Sequence, residues 1–526
     1  MEQTVQPAAV PEQTIPPTEP AALPDTQSFK PKWKLQPHDT AFALLALPLG
    51  FLFTRYILFK ADGFLTTGFF LLLYLFSCLY IRKSGCKPKP VHHLMGAVII
   101  AFSFVFSLTA APLIHGLCVL FLLPAIVWRT HAVCSGIGLV TRYLPFDLWD
   151  SCCSAPLWHA SAGPQAYSEL TKKSKSAGNA KAILLGLLVT IPLTAVVAAL
   201  LSSADEGVNR MLTNVFEMIS DNVYLTVLEI LLAIPAGIWL FGMLYSAAQR
   251  KLNPLPDEAY HEQKLLRARI IPNAGLYAGV TPICVLYLLY VVSQTNYFLS
   301  AFAGKLPSDM IYSEYARRGF FELCAIAVIN LAVILVLTGC AKKGGNTRPK
   351  LLTGYAVMLC LFTLFIIATA IAKMVLYINA YGLTALRLYT AWFMVLLGVV
   401  FLTLLVRQFV RRLPTAAILT VSFTLLFGLL CFAMPEQRIA EYNITRYENG
   451  TLSELDVDML CGLSEDAYLV MTKHPDALRR AGQWDEFVRR ARIRTDEIYR
   501  ESKDKSWNLP AQILIQRVHV DIPHEE

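Results

Sequence analysis

Long apolar segments, joined by loops of very uneven charge, are the feature that most constrains this chain. About eleven of these segments lie between Phe42 and Met434. Several, such as 183–201 and 223–245, reach the roughly 20 residues that an α-helix needs to cross a bilayer. A soluble core does not need so many helices of that length. We therefore predict an all-α fold: a polytopic transmembrane helical bundle of about 11 spans with a small C-terminal helical region outside the membrane.

Lys and Arg residues are concentrated in every second loop. When the loops are assigned alternately to the two sides, 25 of these residues fall on one side and 5 on the other. Because an excess of Lys and Arg marks the cytoplasmic side, the pattern predicts a cytosolic N-terminus and, after an odd number of spans, an extracytoplasmic C-terminus. The basic residues lie in short loops, where they contact lipid head groups. The expected partner is thus the bilayer, and no nucleic acid is expected.

Five regions follow from the distribution of apolar, proline and charged residues. In the last region, Ser464 to Asp466 and Pro475-Asp476 are helix-start signals, whereas Gly450 and Gly482 are helix stops. The regions are a disordered, Pro-rich cytosolic tail (1–40), four spans (41–129), an inner amphipathic or re-entrant region (130–181), a core of about seven spans (182–434) and an extracytoplasmic helical domain (435–526).

Motifs for familiar chemistry are absent from the sequence. Neither G-x-x-x-x-G-K-[ST] nor H-E-x-x-H occurs. The only adjacent histidines, His92 and His93, lie in a basic loop and are interpreted as solvated surface. Cys431 and Cys461 are the only pair of cysteines near the outer face, and a disulfide between them is a minor alternative. No cofactor and no metal site are predicted.

The candidate site is a set of ionisable and polar residues, most of them at one depth in the outer half of spans six, eight, nine and ten. Such groups are costly in a bilayer unless they are paired or face a cavity. An ion-paired network that fixes helix packing, a polar cavity that binds a charged ligand, and snorkelling of a lysine towards the interface all remain open. The residues are Glu229, Glu314, Arg317, Arg318, Glu322, Asn330, Lys373 and Arg387.

Three segments carry a resemblance to a known family: YSEYARRGFFELCAIAVINLAVILVL, YINAYGLTALRLYTAWF and AEYNITRYENGTLSELDVDMLCGLSEDAYLVM. They resemble the bacterial membrane proteins grouped as domain of unknown function 4173, which is related to group 4153. Near the C-terminus, KSWNLP is similar to the closing W-[RK]-S-x-N-L stretch of that group, with Asp504 in place of its Trp. The resemblance covers roughly 180–515. It implies a multi-span protein of the bacterial plasma membrane and supplies no activity and no catalytic residues.

Three classes of function remain open from the sequence. The favoured one is a non-enzymatic sensor or scaffold of the cell envelope, in which residues 435–526 engage an envelope protein. The second is a transporter or lipid-handling protein that uses the outer polar cluster. The third is a membrane enzyme that acts on a lipid-linked substrate, with Glu229 and Glu322 as the only plausible acid and base.

Overall fold

The computed structural model describes most of the chain as α-helix. The described residues are 35–58, 62–159, 162–171, 221–249, 269–293, 320–342, 349–410, 412–502 and 508–521, with isolated positions between 190 and 207 and at 266–267. These ranges contain no strand, only a single bridge between Ile271 and Ala341. The predicted tail, 1–40, lies almost entirely outside the described residues.

Fourteen helices precede the C-terminal region in the described ranges. In chain order they are α1 (Pro37–Phe53, extended by a π-helical turn, Thr54–Leu58), α2 (Gly63–Lys83), α3 (Pro90–Ser103), α4 (Val105–Leu108), α5 (Pro112–Ser135), α6 (Leu144–Trp149), α7 (Ala155–Trp158), α8 (Ala162–Thr171), α9 (Asp221–Gln249), α10 (Asn273–Ser293), α11 (Phe320–Gly339), α12 (Lys350–Tyr381), α13 (Ala385–Phe409) and α14 (Thr415–Phe432).

Nine apolar helices in the described ranges are long enough to cross a membrane, counting α1 with its π-helical turn, and α3 with α4, as one each. Their mean hydropathy lies between 1.8 and 2.4. An α-helix satisfies its backbone hydrogen bonds internally, so such segments are stable in lipid. The predicted multi-span helical fold is confirmed. The apolar part of α11, Leu323–Gly339, is shorter than these nine helices, and the predicted apolar segment 183–201 lies mostly outside the described residues.

The fourth span extends further than its hydropathy indicates. We predicted that the first four spans end by residue 129, but α5 continues to Ser135 and buries Arg129, which is 3% exposed. Arg129 Nε donates to the His92 carbonyl oxygen at 3.0 Å, and the guanidinium carbon lies 4.8 Å from the Tyr74 ring centre. These contacts satisfy the charge inside the bundle, so the helix does not have to end where the charged residue begins.

Helices α1 and α9 cross with their backbones in direct contact. A Cβ atom on Gly50 would lie 2.3 Å from the Ala233 carbonyl oxygen, and one on Gly237 would lie 2.7 Å from the Ala46 carbonyl oxygen. Both helices thus place small residues four positions apart at the crossing, an arrangement that lets membrane helices approach closely. By contrast, Gly275 and Gly279 of α10 share this spacing, but no other helix among the described residues lies within 4 Å of a Cβ added at either glycine.

Three short helices between 144 and 171 pack beside these two spans. Gly163 of α8 lies against Ile238 of α9, where an added Cβ would be 3.3 Å from the Ile238 Cγ2 atom. On the other side, Phe146, Trp149 and Leu157 are each more than 60% exposed. The segment therefore has one face on the bundle and one apolar face turned outward, and its place at the inner membrane surface stays a prediction.

Six further helices after Met434 pack around a shared apolar core, and we call this group of helices the C-terminal domain. Each of the six helices contributes apolar side chains to this core. Leu460, Met471, Leu478 and Phe487 are fully buried in it. The predicted helix starts at Glu465 and Pro475, and the stops near Gly450 and Gly482, are confirmed, and both glycines have positive φ. The helices are α15 (Pro435–Glu448), α16 (Val457–Cys461), α17 (Glu465–Met471), α18 (Pro475–Arg480), α19 (Trp484–Ser502) and α20 (Leu509–Asp521).

The C-terminal domain lies at one end of the bundle. Its side chains bond to Asp62, to the turn 109–111 between α4 and α5, and to the turn 382–384 between α12 and α13. We call this the domain end. At the opposite end, Lys89 Nζ donates to the Gly136 carbonyl oxygen at 2.6 Å.

Candidate functional site

Asp466 joins the C-terminal domain directly to the bundle. Its Oδ2 accepts hydrogen bonds from Thr109 Oγ1 at 2.6 Å and from the Ala110 backbone N–H at 2.9 Å. Ser464 Oγ lies 3.3 Å from the same oxygen. The carboxyl group is only 1% exposed. A buried carboxylate with these donors fixes the first turn of α17 against the turn 109–111.

His115, at the start of α5, extends the contact to the other side of Thr109. Its Nε2 lies 2.9 Å from the Thr109 carbonyl oxygen, and its Nδ1 lies 3.7 Å from Asp62 Oδ1. Asn508, just before α20, donates from Nδ2 to the same Asp62 oxygen at 3.0 Å. Because Asn508 also belongs to the C-terminal domain, both α17 and the residue before α20 bond to the domain end of the bundle.

Two more carboxylates lie beside Asp466. Glu436 Oε2 accepts from the Ser464 backbone N–H at 2.6 Å, and Glu465 Oε1 accepts from Arg494 Nε at 2.9 Å. Both side chains are about as buried as the protein core. We call Asp62, Thr109, His115, Glu436 and Asp466 the domain–bundle junction.

Burial raises the pKa values of Asp466 in the junction and of Glu465 beside it. Loss of hydration, together with the nearby Glu436 and Glu465 carboxylates, raises the pKa of Asp466 to about 6, against the lowering effect of the bonds from Thr109 and Ala110. Burial also raises the pKa of Glu465, although Arg494 opposes the shift. Both shifts arise because the charged carboxylate is less well solvated inside the protein than in water.

A second contact ties the C-terminal domain to α12 and α13. The Asn443 side chain accepts from the Leu383 N–H and donates to the Leu383 carbonyl oxygen, both at 2.7 Å. Gly382 has φ +77, and a Cβ there would lie 2.5 Å from Asn443 Oδ1. Arg446 donates to the carbonyl oxygens of Ile378 and Asn379 at the end of α12. The turn therefore requires glycine both for its backbone conformation and for the approach of Asn443.

The predicted polar cluster is placed as follows in the described residues. Glu229 of α9 pairs with Arg55 of the first span, with Nη1 and Oε2 3.5 Å apart. Arg387 lies over the Tyr377 ring at 3.9 Å and donates to the Tyr381 carbonyl oxygen, so it covers the end of α12. Lys373 is half-buried on α12.

Asn330 lies deeper and is fully buried. Its Oδ1 accepts from the Tyr287 hydroxyl and its Nδ2 donates to Thr363 Oγ1, both at 2.8 Å. It thereby joins α10, α11 and α12 through side chains alone. Glu314, Arg317 and Arg318 lie outside the described residues, as does the side chain of Glu322.

Sequence reasoning missed the residues of the junction. The sequence marks Glu465 and Asp466 only as a helix start, which they are. It gives no role to Asp62, Thr109 or His115. No local pattern marks them, because Asp466 and Thr109 are 357 positions apart. Within the described ranges, no group of three His, Cys, Asp or Glu residues is arranged to hold a metal ion.

Comparison with known proteins gives one match. A family model described as "Domain of unknown function (DUF4153)" matches residues 96–474. The matched range includes Thr109, His115, Glu436 and Asp466, and it extends from the third span into the C-terminal domain. No curated protein and no solved structure matches the chain. The match covers well over half of the sequence, and the chain therefore belongs to the DUF4153 family, whose function is unknown.

Proposed function

We propose that this protein is a non-enzymatic sensor or scaffold of the cell envelope, with the C-terminal domain as the part that engages an envelope protein. The observation that carries the proposal is the double attachment of this domain. Asp466 bonds to the turn before α5, whereas Asn443 bonds to the turn before α13. A partner that displaces the domain would therefore act on two groups of membrane helices at once.

The partners of the predicted polar cluster favour this class over a transporter or an enzyme. Glu229 has Arg55, and Asn330 has Tyr287 and Thr363, as direct partners in the protein. Arg387 bonds to backbone carbonyl oxygens. These contacts support a role in helix packing, because groups that bind a ligand or relay a proton need a free face towards a cavity.

We further propose the bacterial plasma membrane as the location, with the C-terminal domain outside the cell. The end of the bundle opposite to the domain holds the basic loop from Arg82 to Lys89 and the residue Arg412. An excess of Lys and Arg is typical of the cytoplasmic side. The three segments that resemble group 4173 support the proposal that, among the related groups 4153 and 4173, the chain is also similar to the second.

The orientation is tested with single cysteines in a cysteine-free background. Ser453 of the C-terminal domain and Lys87 at the opposite end are both exposed, which makes Ser453→Cys and Lys87→Cys a matched pair. A maleimide that does not cross membranes should label intact cells at position 453 and should label position 87 only after lysis. Labelling of position 87 alone in intact cells would reverse the orientation.

The sensor or scaffold role is tested by photo-crosslinking in living cells. A photoreactive amino acid replaces Ile493, which is 48% exposed on the domain, or Leu386, which is 75% exposed on a membrane helix. We expect a discrete protein adduct at position 493 and lipid adducts at position 386. If position 493 and other exposed sites on the domain give no protein adduct in any growth condition, the proposed role is wrong.

A further inference from the structure

We propose that Cys118 and Cys431 are a dithiol site that oxidises to a disulfide and thereby ties α5 to α14. The two Sγ atoms are 3.7 Å apart, although the residues lie 313 positions apart in the chain. Both are buried: Cys118 is 0% and Cys431 is 2% exposed. To form the bond, the two sulfur atoms have to approach from this distance to the S–S bond length of about 2 Å.

Aromatic packing holds the two thiols face to face. Phe102 of α3 stacks on Phe427 of α14 with ring centres 5.4 Å apart, and Phe427 also contacts Phe121 of α5 at 5.6 Å. Phe121 and Phe427 are each close in sequence to one of the two cysteines. The separation of the sulfur atoms is thus set by a close-packed cluster, in which side chains have little freedom to drift apart.

The position of the pair gives the disulfide a consequence. Cys431 lies in the last turn of α14, three residues before Met434, whose φ of +50 is the only positive value at a non-glycine residue in the described ranges. Cys118 lies in the second turn of α5, just after the turn that Asp466 contacts. A bond between them would fix the base of the C-terminal domain to the helix on which the domain rests.

The reaction is a thiol–disulfide exchange with an external disulfide. One thiol loses its proton and attacks the oxidant R–S–S–R, which forms a mixed disulfide and releases R–S⁻. The second thiol then attacks the mixed disulfide, so that Cys118–S–S–Cys431 forms and a second R–S⁻ leaves. The protein loses two electrons and two protons, and the oxidant gains them as two thiols. The proposed orientation places this end of the bundle on the side where disulfides persist.

The Cys118–Cys431 pair differs from the Cys431–Cys461 disulfide that the sequence left as an alternative. Cys461, the last residue of α16, lies in the core of the C-terminal domain, whereas Cys431 has its sulfur against Cys118. The two proposals therefore predict different cross-linked peptides.

The test uses the full-length protein in membranes. Diamide, which takes up two hydrogen atoms for each disulfide formed, is the oxidant. After denaturation, the free thiols are counted with a polyethylene-glycol maleimide, and the cross-link is mapped by mass spectrometry of non-reduced digests. We expect the oxidised wild type to show two fewer reactive thiols than the twelve of the reduced protein, a peptide that joins positions 118 and 431, and a higher midpoint of thermal unfolding that reverts on reduction.

Three variants complete the test. Cys118→Ser and Cys431→Ser should each keep all remaining thiols reactive. As a control for access of the oxidant, the pair T67C/S107C is placed in the Cys118→Ser background, because Thr67 Oγ1 and Ser107 Oγ are buried and 2.7 Å apart. The inference is overturned if this control pair oxidises while the wild type forms no bond between positions 118 and 431, or if Cys431 pairs with Cys461 instead.

Discussion

Replacing Asp466 with asparagine should remove much of the pH dependence of stability of this protein. In the folded protein the pKa of Asp466 is raised to about 6, compared with an ordinary value of 3.8. The folded state therefore binds the proton more tightly than the unfolded state. The stabilisation is fully present below the ordinary pKa and is lost as the pH rises through the raised one.

The size of the effect follows from the difference between the two pKa values. A difference of about two pKa units corresponds to about 3 kcal/mol between the two protonation states. We therefore expect the free energy of unfolding of the wild type to fall by up to about 3 kcal/mol between pH values of about 4 and about 7. Glu465, whose pKa is also raised by burial, adds a change of the same sign.

The asparagine variant keeps an oxygen that can accept from Thr109 and Ala110 but cannot be charged. Its stability should therefore change less with pH, and it should exceed that of the wild type at neutral pH. The assay is thermal unfolding in lipid nanodiscs over a series of pH values, followed by tryptophan fluorescence. Asp476→Asn, at a side chain that is 84% exposed, is the matched control and should retain the wild-type slope.

Two outcomes would refute this account of Asp466. One is that the stability of Asp466→Asn changes with pH as much as that of the wild type. This would mean that the Asp466 carboxylate does not bind the extra proton of the folded state. The other is a loss of stability as the pH falls from neutral to about 5, because this requires a lowered pKa of the junction carboxylates.

Three further predictions concern packing and the second domain contact. Gly237→Leu should destabilise the protein by about 1–3 kcal/mol in thermal unfolding, since it forces α1 and α9 apart, whereas Gly279→Leu should be nearly neutral because no described residue lies within 4 Å of a Cβ added there. Asn330→Ala should cost about 1 kcal/mol, and Tyr287→Phe should add little in that background, which a double-mutant cycle would measure. Asn443→Ala should increase proteolysis at the turn 382–384, because it removes both hydrogen bonds to Leu383; unchanged cleavage would show that this contact is not restraining.

The apolar spans were predictable because hydrophobicity is a local property of the sequence. The end of α5 was not, since Arg129 interrupts the apolar pattern while its contacts with Tyr74 and His92 keep it inside the helix. The small-residue spacing around Gly50 and Gly237 could not be told apart from that at Gly275 and Gly279, because the spacing does not reveal whether another helix is present.

The junction itself lies beyond sequence reasoning for a different reason. Each of its bonds joins residues that are distant in the chain, such as Asn508 with Asp62, which are 446 positions apart. An acidic residue in the first turn of a helix already has a local explanation. Only the folded structure shows that the Asp466 side chain also reaches the turn before α5.

We propose that the C-terminal domain is fixed to two groups of membrane helices and moves as a unit. Hydrogen exchange at two backbone amides tests it most directly, because the Ala110 N–H donates to Asp466 and the Leu383 N–H donates to Asn443. In Asp466→Ala we predict faster exchange at both amides, as the loss of one contact loosens the whole domain. Faster exchange at Ala110 with no change at Leu383 would contradict the claim and show two independent contacts.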